Sequence, residues 1–330
     1  MSAELERSYR RALGWYPRGW RARNADVVAG TLLDVADAEH RTRPRRGELA
    51  NLAASGISTR LGVLLEPRAR NAISTIALAT GVGYPLAHFA FQLWSPSGMA
   101  HASDWMFTAA RGFNAIVNPG LLIAAVWLLA LVLALVLTPR QRGLKPVIVL
   151  AIFASLALIL ANRIPGIGAE WYGLTTTSMV FLSLLGALVL IGTPARGLRL
   201  LLWTATTFGL FLGGYIGSGL LFGGRPINEH FFWDYLSRTL LPPLLGVAVL
   251  TAIALGIAGR TATAQTVIIS TLPWAVVLLR VFGAQDIWNT LALLGIAAAL
   301  VGFGALLPIA FRRARADVPS ESEQNMTSLP

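Results

Sequence analysis

The residues best suited to chemistry lie in two polar segments, 95–113 and 223–238, which separate long apolar runs. His230 and Asp234 stand four residues apart, so a helix would place them on one face. A divalent cation there would take its ligands from Glu229, His230, Asp234 and His101, but no HExxH-type spacing accompanies them. We therefore interpret the stretch as a capped interfacial helix with a local ion pair, and we predict no metal.

The same two segments carry charged pairs beside tryptophan rings, an arrangement that suits an amphiphilic ligand. They predict a ligand-binding vestibule made of Asp104, Trp105, Arg111, Glu229, His230, Trp233, Asp234 and Arg238. Two more pairs stand near the ends of apolar runs, Arg163 with Glu170 and Arg280 with Asp286. We expect these to form ion pairs on the same side of the protein as the vestibule.

Several kinds of chemistry are excluded by the residue types that the sequence lacks. The chain has no cysteine, which excludes disulfides, thiolate metal sites and a cysteine nucleophile. Gly217-Ser218-Gly219 lacks the first glycine of a GxSG motif because Ile216 stands there, and no phosphate-binding glycine loop occurs. We predict no cofactor and no enzyme activity. A lipid-modifying enzyme built on the 229–234 cluster ranks last among the alternatives.

Composition excludes a single soluble domain. Of 330 residues, 55% are hydrophobic and 13% are charged, and the mean hydropathy is +0.62. Eight uncharged runs follow residue 71: 71–103, 112–139, 146–162, 171–195, 200–224, 239–259, 261–279 and 287–311. Each approaches or exceeds the roughly 17–25 residues that a helix needs to cross a bilayer. The prediction is an all-α bundle of eight transmembrane helices.

The basic residues predict the orientation of these spans. The chain has 27 Lys+Arg against 16 Asp+Glu, and 22 of the 27 fall on the side that holds both termini. The positive-inside rule makes that side cytoplasmic, with the two polar segments outside. Anionic lipid explains the basic surplus, so we expect no nucleic-acid partner. A single lysine, Lys145, stands among 26 arginines, which favours a GC-rich bacterial source and the bacterial cytoplasmic membrane.

The first 66 residues read as a separate cytoplasmic domain of three amphipathic helices, about 3–15, 17–38 and 47–65. Their apolar stripes are Leu5, Tyr9 and Leu13, then Trp20, Val28, Leu32 and Val35, and finally Leu49, Leu52, Ile57, Leu61 and Leu64. Residues 67–311 form the membrane domain, and residues 312–330 are predicted to be a disordered cytoplasmic tail.

The N-terminal segment also resembles a known family. The stretch Leu5-Glu6-Arg7-Ser8-Tyr9 through Trp15-Tyr16-Pro17 is followed by Trp20-Arg21-Ala22-Arg23 and Thr31-Leu32-Leu33-Asp34. Over residues 1–66 this resembles the helical signalling, or permease-prefix (HAAS-like), domain that precedes many bacterial membrane proteins. The resemblance implies a non-catalytic domain found on permease-like chains, often accompanied by PadR-type transcriptional regulators.

Two spacings recur along the membrane domain. Gly81 and Trp105 stand 24 residues apart, as do Gly209 and Trp233. Arg163 precedes Trp171 by eight residues, and Arg280 precedes Trp288 by the same interval. Tandem halves, 71–195 and 200–311, with the same topology are one interpretation of these repeats. The alternative is coincidence, since aromatic belts place tryptophan at span ends in any membrane protein.

Three features inside the spans predict how the helices pack. Gly209, Gly213 and Gly217 form a smooth face for close helix contact. His88 is expected to hydrogen-bond to a neighbouring helix. Asn118-Pro119 and Pro242-Pro243 predict kinked helices, with unwound backbone that binds a solute as the alternative.

Two functions fit this sequence. The first is a sensor or accessory protein whose cytoplasmic helices relay the state of the membrane domain to a cytoplasmic regulator. The second is a permease or exporter component for an amphiphilic solute, which would require an ATP-binding subunit or another coupling device.

Overall fold

The computed structural model describes residues 3–45, 47–94, 120–136, 143–161, 174–221, 232–233 and 235–283. Every regular element in these ranges is helical. The chain divides into two compact units, the first from Met1 to Pro67 and the second from Arg68 onward. This division falls beside the boundary predicted at residue 66, and the predicted tail 312–330 lies outside the described residues.

The first unit contains three helices, α1 (Ala3–Leu13), α2 (Arg18–Ala38) and α3 (Glu48–Leu64). Pro17 directly precedes α2, where its missing N–H costs nothing. In α1 the first turn is acidic and the last turn is basic, which suits the helix dipole. The helices lie where the sequence periodicity predicts them.

The core of the first unit forms where α1 packs against α2 and α3. Leu5, Tyr9 and Leu13 are buried, as their spacing predicts. On α2 the buried face is Ala29, Leu33 and Ala36. The predicted stripe is wrong at Val35, whose side chain is 45% exposed, because a position two residues from Leu33 falls on the opposite side of a helix.

Glu48, the first residue of α3, joins α1 and the connection between α2 and α3 through one carboxylate oxygen. Its Oε2 accepts hydrogen bonds from the Tyr9 hydroxyl at 2.9 Å, the Arg45 backbone N–H at 2.9 Å and the Arg41 guanidinium at 3.3 Å. Burial opposes ionisation of this carboxyl, but the three donors outweigh it and lower the pKa of Glu48. Burial, helped by the neighbouring carboxylate, raises the pKa of Tyr9.

The described helices of the second unit follow the predicted apolar runs. They are α4 (Pro67–Trp94), α5 (Gly120–Val136), α6 (Leu144–Ala161), α7 (Thr176–Ile191), α8 (Leu198–Leu221), α9 (Leu241–Ile257), α10 (Thr261–Ser270) and α11 (Leu272–Gly283). A π-helical turn, Leu236–Leu240, leads into α9. Seven of the eight runs thus contain a described helix, and the last run, 287–311, lies outside the described residues.

Five of the described segments are long and apolar enough to cross a membrane: Pro67–Phe91, Leu144–Ala161, Leu198–Ser218, Leu236–Ile257 and Thr261–Leu278. The apolar helices α5 and α7 are shorter. The protein is therefore all-helical in its described part, with several helices suited to a bilayer. The sequence predicts one continuous span over 261–279, but the helix is interrupted at Thr271.

The second unit has a central helix and an apolar outer surface. In α4, 78% of the most apolar window is buried, against 17% in the segment that contains α9. Exposed side chains on the outer helices include Phe153 on α6, Leu210 on α8 and Leu250 on α9, each more than half exposed. Water would penalise so much exposed apolar surface, whereas lipid would not.

The turn between α7 and α8 is fastened to the first residues of α4. The Asn71 Oδ1 atom accepts hydrogen bonds from the backbone N–H of Thr193 at 3.1 Å and from its hydroxyl at 2.9 Å. The Thr75 hydroxyl accepts from the backbone N–H of Ala195 at 2.7 Å. These bonds give two backbone N–H groups of the turn hydrogen-bond partners on α4.

Candidate functional site

Most of the predicted vestibule falls outside the described residues. That is the case for Asp104, Trp105, Arg111, Glu229, His230 and Asp234, and for Arg163, Glu170 and Asp286 of the predicted ion pairs. Arg280 lies in α11, but its side chain is not among those described. Trp233 and Arg238 are the vestibule residues that the structure places. Within the described ranges, no group of His, Asp and Glu side chains is close enough to hold a metal ion.

Trp233 is buried, and its indole N–H is used inside the protein. It donates to the Ser178 hydroxyl at 2.7 Å and to the Tyr84 hydroxyl at 3.1 Å. The Tyr84 and Ser178 oxygens are themselves 2.6 Å apart. Thr175 caps α7 and brings its hydroxyl within 3.1 Å of Ser178. Trp233 therefore joins α4 to the start of α7, a structural role that the vestibule prediction did not include.

Aromatic rings from four parts of the second unit pack around this hydrogen-bonded group. Phe181 of α7 meets Trp274 of α11 at a ring distance of 4.6 Å. Phe211 of α8 stacks on the same tryptophan at 5.7 Å. Tyr215 stacks on Phe232 at 4.0 Å. Such ring pairs add stability beyond their buried area and hold one another in fixed orientations.

His88 lies in the same region and makes the predicted contact with a neighbouring helix. Its Nδ1 atom is 3.2 Å from the Tyr215 hydroxyl of α8. Both side chains are fully buried. The expectation that His88 is held by an interhelical hydrogen bond is confirmed.

A cavity of about 420 Å³ lies beside the aromatic cluster. Its floor is formed by Phe211, Phe232 and Trp274, and leucines of the π-helical turn and of α9 form one wall. Three threonines, Thr80, Thr207 and Thr271, are the polar residues among its described lining. None of the described lining residues is charged. This composition fits an apolar ligand or the apolar part of one.

Arg238 is exposed and does not line the cavity. It stands two residues from Leu236 and two from Leu240, both of which line the cavity. Helical spacing therefore places Arg238 on the other side of that turn. The structure therefore does not bring Arg238 to the cavity, and Arg111, the other predicted cation, lies outside the described residues.

Irregular backbone surrounds the cavity on two sides. The π-helical turn precedes Pro242 and Pro243, which occupy the first positions of α9. The helix breaks at Thr271, two residues before Pro273. Proline has no backbone N–H and so cannot donate the hydrogen bond that a continuous helix requires. The Thr271 hydroxyl donates to the Ile268 carbonyl at 2.7 Å and so provides a hydrogen bond to a carbonyl in the last turn of α10. The predicted irregularity at Pro242-Pro243 thus adjoins the cavity.

The close helix approach in the second unit involves different glycines from those predicted. A Cβ atom at Gly83 of α4 would collide with Thr207 of α8, whose hydroxyl donates to the Ala79 carbonyl at 2.8 Å. A Cβ at Gly81 would collide with the Trp127 ring. No described atom lies within 4 Å of a Cβ at Gly209, Gly213 or Gly217. The close helix contact predicted at Gly209, Gly213 and Gly217 is therefore not made by the described residues, and it stays a prediction.

Sequence reasoning missed most of the cavity and cluster residues. A signal was available, because Thr80, Tyr84 and His88 repeat every four residues in α4 and Thr207, Phe211 and Tyr215 do so in α8. Polar and aromatic side chains at helical spacing within otherwise apolar spans mark an interior face. The residues predicted to bind a ligand lie instead in the polar segments between the spans.

A comparison with protein-family models, with curated proteins and with solved structures gives no match for this chain. What the second unit does must therefore be inferred from its own residues.

Proposed function

We propose that this protein is a multi-pass membrane protein of sensor or accessory type, in which the first unit relays the state of the second unit to a cytoplasmic partner. The observation that carries the proposal is the apolar cavity with its aromatic floor among the helices of the second unit. The space suits part of an amphiphile. Its described lining offers no charged acid or base for catalysis.

The proposal places eight spans in a bacterial cytoplasmic membrane with both termini in the cytoplasm. The exposed apolar side chains of α6, α8 and α9 support embedding in lipid. The concentration of basic residues in and around the first unit supports the orientation. Those residues would face anionic lipid headgroups, so no nucleic-acid partner is needed.

The first unit supplies the relay in this proposal. Its helices pack around a core of their own that includes Tyr9 and Leu33. Only Leu65 and Glu66 separate the end of α3 from the start of α4 along the chain. The resemblance of residues 1–66 to a helical signalling domain favours the same role.

In-cell crosslinking followed by mass spectrometry of the purified full-length chain tests the proposal. We expect one cytoplasmic regulator to be captured by the native chain. Leu33→Asp places a charge in the core of the first unit and should abolish this capture, because a buried unpaired carboxylate is strongly destabilising. Ala22→Asp introduces the same charge at an exposed position of the same helix and should leave capture unchanged.

Two results would contradict the relay. Capture that persists with Leu33→Asp, at equal expression, would show that the first unit does not bind the partner. The absence of any specific partner from the native sample would remove the basis for a sensor or accessory role.

A permease or exporter component for an amphiphilic solute is the second candidate. The observation that favours it is the irregular backbone beside the cavity, at Leu236–Leu240 and at Thr271, since transporters often bind solutes at broken helices. Capture of an ATP-binding subunit in the crosslinking experiment, instead of a regulator, would favour this alternative.

A further inference from the structure

The lining of the cavity has few hydrogen-bonding groups to offer a ligand. The Thr207 hydroxyl donates its proton to the Ala79 carbonyl, and the Thr271 hydroxyl donates to the Ile268 carbonyl. The rest of the described lining, apart from Thr80, is leucine, aromatic rings and Gly214. A polar ligand would lose its hydration without gaining partners there, which costs free energy.

The cavity is also large for a packed protein interior. At about 420 Å³ it falls within the roughly 300–1,000 Å³ of small-molecule sites. Well-packed interiors contain few voids larger than a water molecule. Water does not fill an apolar space of this kind, because it finds no hydrogen-bond partners, whereas hydrocarbon does.

Apolar side chains mark the mouth of the cavity on the outer surface of the helices. Leu210 of α8 is 71% exposed, Leu244 of α9 is 58% exposed, and Leu240 of the π-helical turn is 40% exposed. In a bilayer these side chains would contact lipid tails rather than water. The ligand source next to this mouth is therefore the hydrocarbon of the membrane itself.

We infer that the cavity binds a single acyl chain of a bilayer phospholipid, which enters sideways between α8 and α9. The inference deepens the proposed function, on which it rests, because it names the ligand of the second unit. The chain would lie against Phe211, Phe232 and Trp274. The headgroup would stay at the membrane surface, since no charged side chain belongs to the described lining.

Photocrosslinking of the full-length chain in nanodiscs tests this inference. The discs contain phosphatidylcholine and phosphatidylglycerol, with a trace of phosphatidylcholine that carries a diazirine in its palmitoyl chain. Peptide mapping should find label on the cavity side of α8 and α9, at or beside Leu210, Gly214 and Leu245. A parallel sample receives free palmitic acid with the same diazirine.

Substitutions that fill the cavity should exclude the chain. Leu245→Trp adds a large ring to the lining and should lower labelling of these peptides at least roughly tenfold, the loss that corresponds to about 1.4 kcal/mol of binding. Leu244→Trp, at the exposed mouth, should act in the same direction and serves if Leu245→Trp does not fold. Leu250→Trp places the same ring on the same helix at a position 68% exposed and outside the lining, and should label like the native chain.

Three results would overturn the inference. One is equal labelling of the native chain and of both filling variants. Another is no labelling of the cavity peptides in the native chain, as expected if residues 284–330 of the chain occupy the space. The third is labelling by free palmitic acid that exceeds labelling by the phospholipid, which would assign the cavity to a different source of hydrocarbon.

The test is independent of the relay. Labelling that depends on Leu245, together with no captured regulator, would keep the acyl-chain site and end the sensor proposal. A captured regulator with unlabelled cavity peptides would do the reverse.

Discussion

Ser178 has a small side chain, but its hydroxyl meets three other polar groups near the start of α7. Trp233 donates to it, and Tyr84 and Thr175 lie within hydrogen-bond distance. In this fully buried position, a donor or acceptor that loses its partner cannot turn to water instead. Ser178 therefore determines how the cluster residues of α4, α7 and the segment before α9 are held together.

Replacing Ser178 with alanine should lower the stability of the second unit. We expect a loss of about 1–3 kcal/mol, because the Trp233 N–H loses its 2.7 Å bond to the Ser178 hydroxyl. Thermal unfolding of the purified full-length chain in detergent, followed by tryptophan fluorescence, measures the effect. Ser183→Ala is the control on the same helix, since the Ser183 hydroxyl donates to the Met179 carbonyl one turn away. Equal melting temperatures for the two variants would contradict the role given to Ser178.

The lowered pKa of Glu48 predicts that the first unit loses stability in acid. Its folded pKa lies below the ordinary value of 4.5, so the unfolded chain takes up the proton at a higher pH than the folded chain does. The stability that this carboxylate contributes is present above pH 4.5 and is lost as the pH falls through the lower, folded pKa. Glu48→Gln should make the stability of the first unit less dependent on pH in this range.

The measurement uses the absence of native cysteine. Leu33→Cys places one thiol in the core of the first unit, and its rate of reaction with dithiodipyridine reports exposure at each pH. We expect the rate to rise as the pH falls below 4.5, and to rise less with Glu48→Gln. Glu4→Gln, at an exposed position of α1, should follow the native profile. A native profile in the Glu48 variant would exclude this carboxylate as the acid-sensitive group.

At the scale of elements, the contact between α4 and α8 depends on one glycine. A Cβ atom at Gly83 would stand 2.7 Å from the backbone nitrogen of Phe208, which cannot rotate away as a side chain would. Gly83→Ala should therefore destabilise the second unit by about 1–3 kcal/mol, the usual cost of overpacking. Gly213→Ala is the matched change, because no described atom lies near its Cβ. It should be neutral or stabilise by up to about 1 kcal/mol.

The melting temperatures of these two glycine variants decide between two descriptions of α8. If Gly213→Ala destabilised the chain more than Gly83→Ala, the packing face would be the predicted stripe of Gly209, Gly213 and Gly217. The sequence could not identify the packing face on its own. Both sets of glycines lie in apolar helices, and only the neighbouring helix, with Thr207 pointing at Ala79, distinguishes them.

The helices themselves were predictable, because charges end each apolar run and the lipid-length requirement sets a narrow range. The cavity was not predictable from those runs. It depends on the π-helical turn at Leu236–Leu240, on the break before Pro273 and on the rings of Phe211, Phe232 and Trp274, which come from separate parts of the chain. Such pairings between distant parts of the chain leave little trace in hydropathy. The trace that exists is the four-residue repeat of Thr80, Tyr84 and His88 in α4, which the sequence prediction did not use.

At the scale of the whole molecule, the charge distribution predicts which side of the membrane each turn occupies. Arg225 and Arg260 flank one span, which contains α9, so they should lie on opposite sides, with Arg260 in the cytoplasm. Arg225→Cys and Arg260→Cys each give a chain with a single thiol. A membrane-impermeant maleimide added to intact cells should label the first variant, and should label the second only after permeabilisation. Four predicted spans separate Arg142 from Arg260, so the two should lie on the same side of the membrane, and Arg142→Cys should label like Arg260→Cys. Labelling of Arg260→Cys in intact cells would reverse the orientation, and labelling of all three would mean that the basic turns do not determine the topology.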